Sequence, residues 1–402
     1  MKYDVFFSIS QTPVDGYMPS ESEMFSNFFH QVEAADAFGY ETAWIAESHL
    51  SSEVQKSNSN PVIPHWQGEV GLNVDWLQLS SRIFHRTKRI ETGSAIMNIL
   101  CNGGPVAAAE KVAAFLALHG LDPKESRQIH CGFAAGRFDF MNRAYGIGPR
   151  NELETAAWGA VKGQLFLNAG TIFCRLLRGD VISSADIAPI VLERSHFRSE
   201  EDWARVRDIA GSDTIDIPSF FEFEPLKIVP QDFRRDLLQL IIGSHDPTTQ
   251  ERVNTVCPVK VFNLSITRAD VIDDTHRRLT AAFHPDGGLW KREYMPRTTF
   301  VFINEQPGLS PEQRRRAAGE EARAALGHYW KALQGTIDPA KIEMAATNAL
   351  IGDAQQIAEQ MRERVHPDDR LMLWFDFFNH DNARVIANME AFMTHVAPLM
   401  EA

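Results

Sequence analysis

The stretch AADAFGYETAWIAESHL, residues 34–50, holds the end of a helix, a strand and a cluster of polar side chains in one short run. Apolar residues at helical spacing lead up to Gly39, which is a typical residue to end a helix. The mostly apolar residues 42–46 that follow predict a buried strand. A carboxylate, a hydroxyl and an imidazole come directly after this strand: Glu47, Ser48 and His49.

The same alternation of strand and helix continues along the chain. Strands are predicted at 3–9, 42–46, 90–100, 127–135, 237–243, 259–266, 298–303 and 370–377, and helices at 24–38, 105–120, 152–166, 248–255, from 311 onward and at 382–395. Continuous apolar strands that alternate with helices indicate a parallel sheet covered on both faces. Seven or eight such units predict a (β/α)8 TIM barrel. The alternative is an open doubly wound sheet, but no GxGxxG follows the first strand.

The 402 residues fit one barrel domain spanning 1–402. One part of the chain does not follow the βα period. Residues from about 166 to 235 are mixed in character, and we expect them to form an insertion between two units that covers the mouth of the barrel.

Composition narrows the class of protein. Hydrophobic residues make up 44% and charged residues 23%, which is typical of a globular protein, and a net charge of −13 argues against nucleic acid as a partner. The four cysteines are scattered without a CxxC pair, which disfavours a zinc site or a disulfide framework and favours a reducing compartment. No apolar run has the length of a signal peptide or a membrane span, so we expect a cytoplasmic protein.

The segment 237–254 contains a candidate phosphate site. A predicted strand ends at Gly243, and Asp246-Pro247 then begins a helix. Free backbone amides at a helix start, together with nearby hydroxyls, favour the binding of a phosphate. The hydroxyls and the imidazole are those of Ser244, His245, Thr248 and Thr249. The alternative is simple helix capping by Asp246, whose carboxylate repels an anion.

Two further strand ends carry small side chains that admit a flat ligand close to the backbone. The first is 93–100, with Ser94 and Ala95, where core packing is the alternative. The second is 131–148, where small residues precede Arg137 and a surface salt bridge is the alternative for the arginine. After the last strand, residues 379–381 are expected to cap the next helix, and no spacing in the sequence demands a metal.

Five segments, in this order, resemble the bacterial-luciferase-like flavin monooxygenases. They are 34–50, 93–113, 131–147, 243–253 and 383–400, so the resemblance covers most of the chain except about 166–235. The resemblance implies a (β/α)8 barrel that binds FMN at its C-terminal face.

The resemblance also implies which residues contact the cofactor. The flavin phosphate would lie near Gly243, Ser244, His245, Thr248 and Thr249. The ring would lie against Ser94, Ala95 and Ile96, where relatives have a non-prolyl cis peptide, and against Ala135, Arg137 and Phe138.

The implied activity is a two-component monooxygenase reaction. A flavin reductase supplies reduced FMN, oxygen forms a C4a-peroxyflavin, and this intermediate oxygenates a small organic substrate. The family often has Glu-His-His where this chain has Glu47-Ser48-His49. Glu47, Ser48 and His49 are the candidate catalytic residues, and the acid/base role would fall to Ser48, to a residue of the insertion or to no side chain. The departure at Ser48 disfavours light emission with a long-chain aldehyde. A homodimer is implied as well.

Two alternative functions remain open within the same resemblance. The first is an F420-dependent oxidoreductase, whose longer anionic cofactor favours more basic residues at the mouth than Arg137 and Arg252 provide. The second is a flavin-binding relative without turnover.

Overall fold

The computed structural model describes residues 1–50, 72–136, 139–333 and 339–401. Its strands are β1 Lys2–Phe7, β2 Thr42–Ile45, β3 Glu91–Ser94, β4 Met97–Asn98, β5 Ile129–Ala134, β6 Ile190–Leu192, β7 Ile215–Ile217, β8 Leu238–Ile242, β9 Val259–Val261, β10 Arg297–Ile303, β11 Leu350–Gly352 and β12 Arg370–Trp374. Its α-helices are α1 Glu21–Phe38, α2 Trp76–Arg86, α3 Gly104–His119, α4 Asp139–Arg143, α5 Glu152–Ala156, α6 Trp158–Arg178, α7 Glu200–Ala210, α8 Pro247–Asn254, α9 Ala269–Ala282, α10 Pro311–Leu333, α11 Pro339–Asn348, α12 Ala354–Arg364, α13 Asn382–Ala391 and α14 Ala397–Glu401.

The main sheet is parallel. In the described part of the chain its strands follow the order β11, β10, β12, β1, β2, β3, β5, β8 and β9, and β4 pairs with β5. The central pairs join β1 to β12 on one side and to β2 on the other, both in parallel register. The predicted α/β architecture with a mostly parallel sheet is confirmed.

The main sheet is curled, and side chains from its concave face pack together inside it. Five buried side chains from two separate parts of the sheet, the neighbours β12, β1 and β2 and the neighbours β8 and β9, form one cluster inside it: Phe6, Trp44, Ile241, Phe262 and Met372. Because side chains alternate between the two faces of a strand, their neighbours Phe7, Ile45 and Leu373 face outward and pack in a second cluster with the helices. A sheet with a filled inner face and an outer layer of helices has the layering expected of a barrel.

A single residue pair of the described chain connects β9 to β10. Asn263, just after β9, forms an isolated parallel bridge with Arg297 of β10. The backbone N–H of Asn263 donates to Pro296 O at 2.9 Å, and the N–H of Thr298 donates to Asn263 O at 3.0 Å. No longer run of paired residues joins β9 to β10 in the described chain, so the sheet is open there and the complete barrel stays a prediction.

The segment between α6 and β8 lies outside the main sheet. It contains β6 and β7, which pair with each other in antiparallel register, and α7 between them. Buried residues of all three elements, such as Leu192, Trp203 and Ile217, pack in the cluster that also contains α6. Helix α6 runs through Arg178, so residues 166–178 of the predicted insertion belong to it.

Several element bounds differ from the prediction. The strand expected at 90–100 is divided into β3 and β4 at Ala95 and Ile96, and β9 ends at Val261 rather than at 266. Helices α2, α9, α11 and α12 lie where no element is predicted. Within the described ranges, no helix is both long enough and apolar enough to cross a bilayer.

The packing of Trp44 against Gly93 gives a test of the interior. A Cβ on Gly93 would lie 2.5 Å from Cε3 of Trp44, which is completely buried. We expect Gly93→Ala to lower the free energy of unfolding by roughly 1–3 kcal/mol, because a filled interior has no room for another methyl group. Urea denaturation measures the change.

Gly163 offers a matched control for this substitution. It lies on the exposed side of α6, and a Cβ there would meet no atom within 4 Å. Gly163→Ala is expected to raise the free energy of unfolding by up to about 1 kcal/mol, because alanine favours a helix over glycine. If both variants were equally stable, the close contact between Gly93 and Trp44 would be wrong.

Candidate functional site

Most of the predicted site residues lie at one edge of the sheet. In a parallel sheet the carboxyl ends of the strands share an edge, and ligands usually bind there. Glu47, Ser94, Ala135 and Gly243 come at or just after the ends of β2, β3, β5 and β8, which are neighbours in the sheet. The fold therefore brings these four segments together, although they are far apart in the sequence.

Glu47 and His49 form a buried pair. Oε1 of Glu47 and Nε2 of His49 are 2.8 Å apart, and the two side chains are only 2% and 6% exposed. Burial raises the pKa of Glu47, while hydrogen bonds from His49 and from the backbone of Asn98 oppose that increase. Since the carboxylate joins the end of β2 to β4, Glu47 has the geometry of a structural anchor.

Asn98 extends this anchor to β5. Its side-chain amide donates to Oδ1 of Asn142 at 2.8 Å, and its own Oδ1 accepts from Leu100 N at 3.0 Å. The amide of Asn142 in turn donates to the backbone oxygen of Ala135 at 3.0 Å. The ends of three strands are thus held by one buried hydrogen-bond network, which the sequence pattern did not indicate.

Ser48 is half-buried between these anchored residues. Its backbone N–H donates to Asn73 O at 3.0 Å, and the amide of Asn73 donates to Ala46 O at 3.0 Å. The Ser48 hydroxyl makes no hydrogen bond to any residue in the described ranges. The position therefore carries a small polar group where the resemblance expects an imidazole.

The segment Ser94–Ile96 brings backbone and apolar atoms to the same edge. The peptide bond between Ala95 and Ile96 is cis, at the place where the resemblance implies a non-prolyl cis peptide. Ala95 and Ile96 pack on the interior cluster. Ser94 is completely buried, and alternation along β3 turns its side chain to the face opposite Gly93, away from Trp44. On the inner face of the sheet, Ser94 therefore exposes backbone atoms and not its hydroxyl.

Gly243 completes a wall of small groups. A Cβ at this position would lie 2.4 Å from Cδ1 of Ile96 and 3.3 Å from Cβ of Ala134. Any other residue at this position would displace the end of the Ile96 side chain. The result is a surface of small and aliphatic atoms from three adjacent strands, which suits the face of a flat ring system.

Helix α8 begins directly beside this wall. Asp246 is its N-cap: Oδ2 accepts from Thr249 N at 2.7 Å and from Thr249 Oγ1 at 2.5 Å. Capping by Asp246 is therefore confirmed. The Thr249 side chain is buried and its hydroxyl is already engaged by Asp246.

The other polar groups at this helix start are more accessible. The Asp246 N–H donates to Oγ of Ser244 at 3.2 Å, and Nε2 of His245 lies 3.4 Å from Oγ1 of Thr267. Thr248 is exposed, and its hydroxyl makes no hydrogen bond to a described residue. Ser244 and Thr248 are thus the predicted phosphate ligands whose hydroxyls have hydrogen-bonding capacity left.

Arg137 and Phe138 lie outside the described residues. The described residue just before them is Gly136, and its carbonyl accepts a hydrogen bond from Lys162 Nζ at 3.0 Å. The same ammonium is 2.6 Å from Oδ1 of Asp139. Lys162 therefore places a positive charge at this rim that the sequence pattern did not reveal.

Asp376, which follows β12, is a further polar group at this edge. Its Oδ2 accepts from the N–H of Ser8 at 3.1 Å and from the Ser8 hydroxyl at 2.9 Å. Burial raises the pKa of Asp376 to about 6, although these hydrogen bonds oppose the increase. A carboxyl group that titrates near neutral pH is a candidate proton donor or acceptor.

Comparison with known proteins identifies the fold. No family model and no curated protein sequence matches the chain. Among solved structures, the monooxygenase RslO1 from Streptomyces bottropensis is similar with a TM-score of 0.66 and 15% identity over 99% of each chain. The oxygenating constituent of 3,6-diketocamphane monooxygenase from Pseudomonas putida, in complex with FMN, gives a TM-score of 0.57 and 14% identity over 99% of this chain and 98% of that one.

An F420-dependent secondary alcohol dehydrogenase is similar to the same degree. Its TM-score is 0.57 at 11% identity, with coverage of 99% of this chain and 98% of that one. These identities are low, so the similarities establish the fold. The resemblance to the luciferase-like monooxygenases that the sequence indicates is confirmed at the level of the fold.

The environment of Asp376 gives a prediction about pH. The pKa of Asp376 is raised in the folded protein, so the buried carboxyl is neutral at low pH and lowers the free energy of unfolding little. This destabilising contribution grows as the pH rises through about 6. Asp376→Asn keeps an oxygen acceptor for Ser8 and removes the charge. Relative to wild type, we expect the variant to gain roughly 1 kcal/mol of unfolding free energy between pH 5 and pH 8. Urea denaturation at both pH values measures this, and a difference that is independent of pH would contradict it.

Proposed function

We propose that this protein is a flavin-dependent monooxygenase that uses reduced FMN and oxygen to oxygenate a small organic substrate. The observation that supports it most strongly is the juxtaposition of the Gly243 wall with the start of α8. This arrangement offers a flat aliphatic surface beside a phosphate-binding helix start. It occurs in a fold shared with a monooxygenase solved in complex with FMN.

The described residues fit FMN in shape and in chemistry. Gly243 packs so closely against Ile96 and Ala134 that a Cβ would have no room there. The three strand ends therefore form a continuous apolar surface. Ser244 and Thr248 have hydroxyls able to donate to phosphate oxygens, and the positive end of the α8 dipole favours an anion there. Ala95, Ile96 and the backbone of Ser94 and Ala135 would contact the ring. Bound reduced flavin would supply the chemistry that activates oxygen.

The protein's own side chains would then position and protect the reaction. The Glu47 network holds the ends of β2, β4 and β5, so the wall does not depend on the cofactor for its shape. Since Ser48 stands in place of an imidazole, the acid/base role would fall to Ser48, to a residue of the insertion or to no side chain, as the resemblance implies. We include in the proposal a complete (β/α)8 barrel, a partner flavin reductase and a homodimer, as the resemblance implies.

An F420-dependent oxidoreductase is the second candidate, since one similar structure is such an enzyme. Lys162 adds one positive charge at the rim, but the described helix start carries the carboxylate of Asp246. The longer anionic tail of F420 favours more basic residues at the mouth, and Lys162 is already paired with Asp139 at 2.6 Å, so FMN is favoured. Equilibrium titrations of the purified protein with FMN and with F420, each in reduced form without oxygen, decide between the two. Tighter binding of F420 would overturn the proposal.

Turnover requires a separate test. Reduced FMN, a reductase and ¹⁸O₂ are supplied with a panel of small aldehydes, ketones, sulfides and amines, and the products are examined by mass spectrometry. The proposal expects one labelled oxygen atom in a product. Binding of FMN without label in any product class would instead support a flavin-binding protein without turnover.

Thr248→Val tests the phosphate position. We expect FMN to bind roughly 10- to 100-fold more weakly, because the variant loses a hydrogen bond to a charged phosphate worth roughly 1.5–3 kcal/mol. Riboflavin has no phosphate, so its affinity should stay the same. Flavin fluorescence titrations measure both affinities.

Thr255→Val is the matched control at the other end of α8. Its hydroxyl donates to Arg252 O at 2.7 Å and lies away from the strand ends. This variant should bind FMN and riboflavin as the wild type does. If Thr248→Val weakened both flavins equally, or neither, the phosphate would not lie at this helix start.

A further inference from the structure

A second cavity lies at the opposite end of the curled sheet. It has a volume of about 540 Å3 and is lined by residues at or before the amino ends of the strands, among them Glu91, His130, Gln239, Lys260 and Arg370. The candidate flavin site is at the carboxyl ends of the same strands. The two sites are therefore separated by the length of the strands.

The interior cluster blocks the way between the two ends. Trp44 is completely buried at its centre and packs on Phe262 with ring centroids 5.8 Å apart. The indole N–H of Trp44 donates to Oδ2 of Asp4 at 2.7 Å, on the side of the second cavity. A molecule in this cavity thus has no passage through the described interior to the flavin wall.

The carboxylates that line the cavity already have cationic or imidazole partners. Glu41 is 2.8 Å from Nη2 of Arg370, and Glu91 is 2.6 Å from Nε2 of His130. Glu293 is 3.3 Å from Nζ of Lys2. An incoming cation would have to displace one of these partners, so the cavity does not favour a positively charged ligand.

Lys260 differs from the other charged groups. Its ammonium makes no ion pair or hydrogen bond to a residue in the described ranges and lies over the face of the Tyr294 ring, 4.3 Å from the centroid. Burial lowers the pKa of Lys260 to about 8. Surrounding charges act on it from a greater distance: those of Arg370 and Lys2 lower its pKa, while those of Glu91 and Glu293 raise it. The amide of Gln239, on the neighbouring strand, likewise makes no hydrogen bond to a described residue.

Strand register places these two groups on the same face. Lys260 pairs with Ile241 across β8 and β9, and Ile241 belongs to the interior cluster. Gln239 is two residues before Ile241, so its side chain also points inward. Both groups face the cavity without a hydrogen-bond partner among the described residues, so their hydrogen-bonding capacity is available to an acceptor that binds there.

We infer that this cavity is a second ligand site, which binds a small oxyanion, a phosphate or a carboxylate, between Lys260 and Gln239. Such an anion accepts hydrogen bonds from both groups and neutralises the Lys260 ammonium, which has no ion pair with a carboxylate of the described residues. Its ligand is distinct from the substrate of the proposed flavin reaction, because the interior cluster separates the cavity from the flavin wall.

Thermal unfolding at pH 7 with increasing phosphate, at ionic strength held constant with chloride, tests this site. FMN is present at saturating concentration so that the helix start of α8 is occupied. We expect the midpoint to rise with phosphate in the wild type, because a ligand that binds the folded state stabilises it. Lys260→Met should need at least tenfold more phosphate for the same rise. A parallel series with acetate shows whether carboxylates bind as well.

Lys227→Met is the matched control, since Lys227 is exposed and does not line the cavity. It removes the same charge and should keep the wild-type response. Gln239→Leu is a second variant, expected to weaken the response if Lys260→Met does not fold. No rise of the midpoint in the wild type, or an equal rise in Lys260→Met, would overturn the inference.

The result is independent of the proposed flavin function. If FMN does not bind, the phosphate series is repeated on Thr248→Val, which lacks the hydroxyl at the helix start. A response that persists in Thr248→Val and is lost in Lys260→Met still locates the anion at the second cavity.

Discussion

The position of Trp44 is the constraint on which the rest of the structure depends. Its ring fills the interior of the curled sheet directly over Gly93, where no side chain could be accommodated. Its N–H is held by Asp4, and Asp4 is 2.9 Å from Nη1 of Arg370, so one buried side chain connects β2, β1 and β12. Burial of this indole also separates the two ends of the sheet, which allows each end to have its own chemistry.

The two ends differ in how their polar groups are satisfied. At the carboxyl ends, Glu47 is held by short-range contacts to His49 and Asn98, and the remaining surface is made of small and aliphatic groups. At the amino ends, Glu91 pairs with His130 and Glu41 pairs with Arg370 across strands, while Lys260 has no such partner among the described residues. A flat aromatic cofactor suits the carboxyl ends, since it packs on their small and aliphatic groups. An anion suits the amino ends, since it supplies a negative partner for Lys260.

Local patterns predicted much of the fold. The apolar runs correctly indicated the eight strands that form most of the parallel sheet, because such runs are stable only when both faces are covered. Caps were predictable for the same reason: Asp246 and Asp381 each accept from a backbone N–H three residues ahead, which needs no distant partner. The helices α9 and α12 were not predicted, and the break of the strand after Ser94 depends on neighbouring strands rather than on its own composition.

The sequence by itself determined the alternation of strands and helices, the polar ends of the strands and the residue types available there. Only the tertiary structure decided which of those groups are free to act. Thr249 is engaged by Asp246, Ser94 turns away from the interior, and Ser8 meets Asp376 although 368 residues separate them in the chain. The physical reason is that strand register and burial decide whether a polar group finds a hydrogen-bond partner. Register and burial are in turn set by contacts between residues that are distant in sequence.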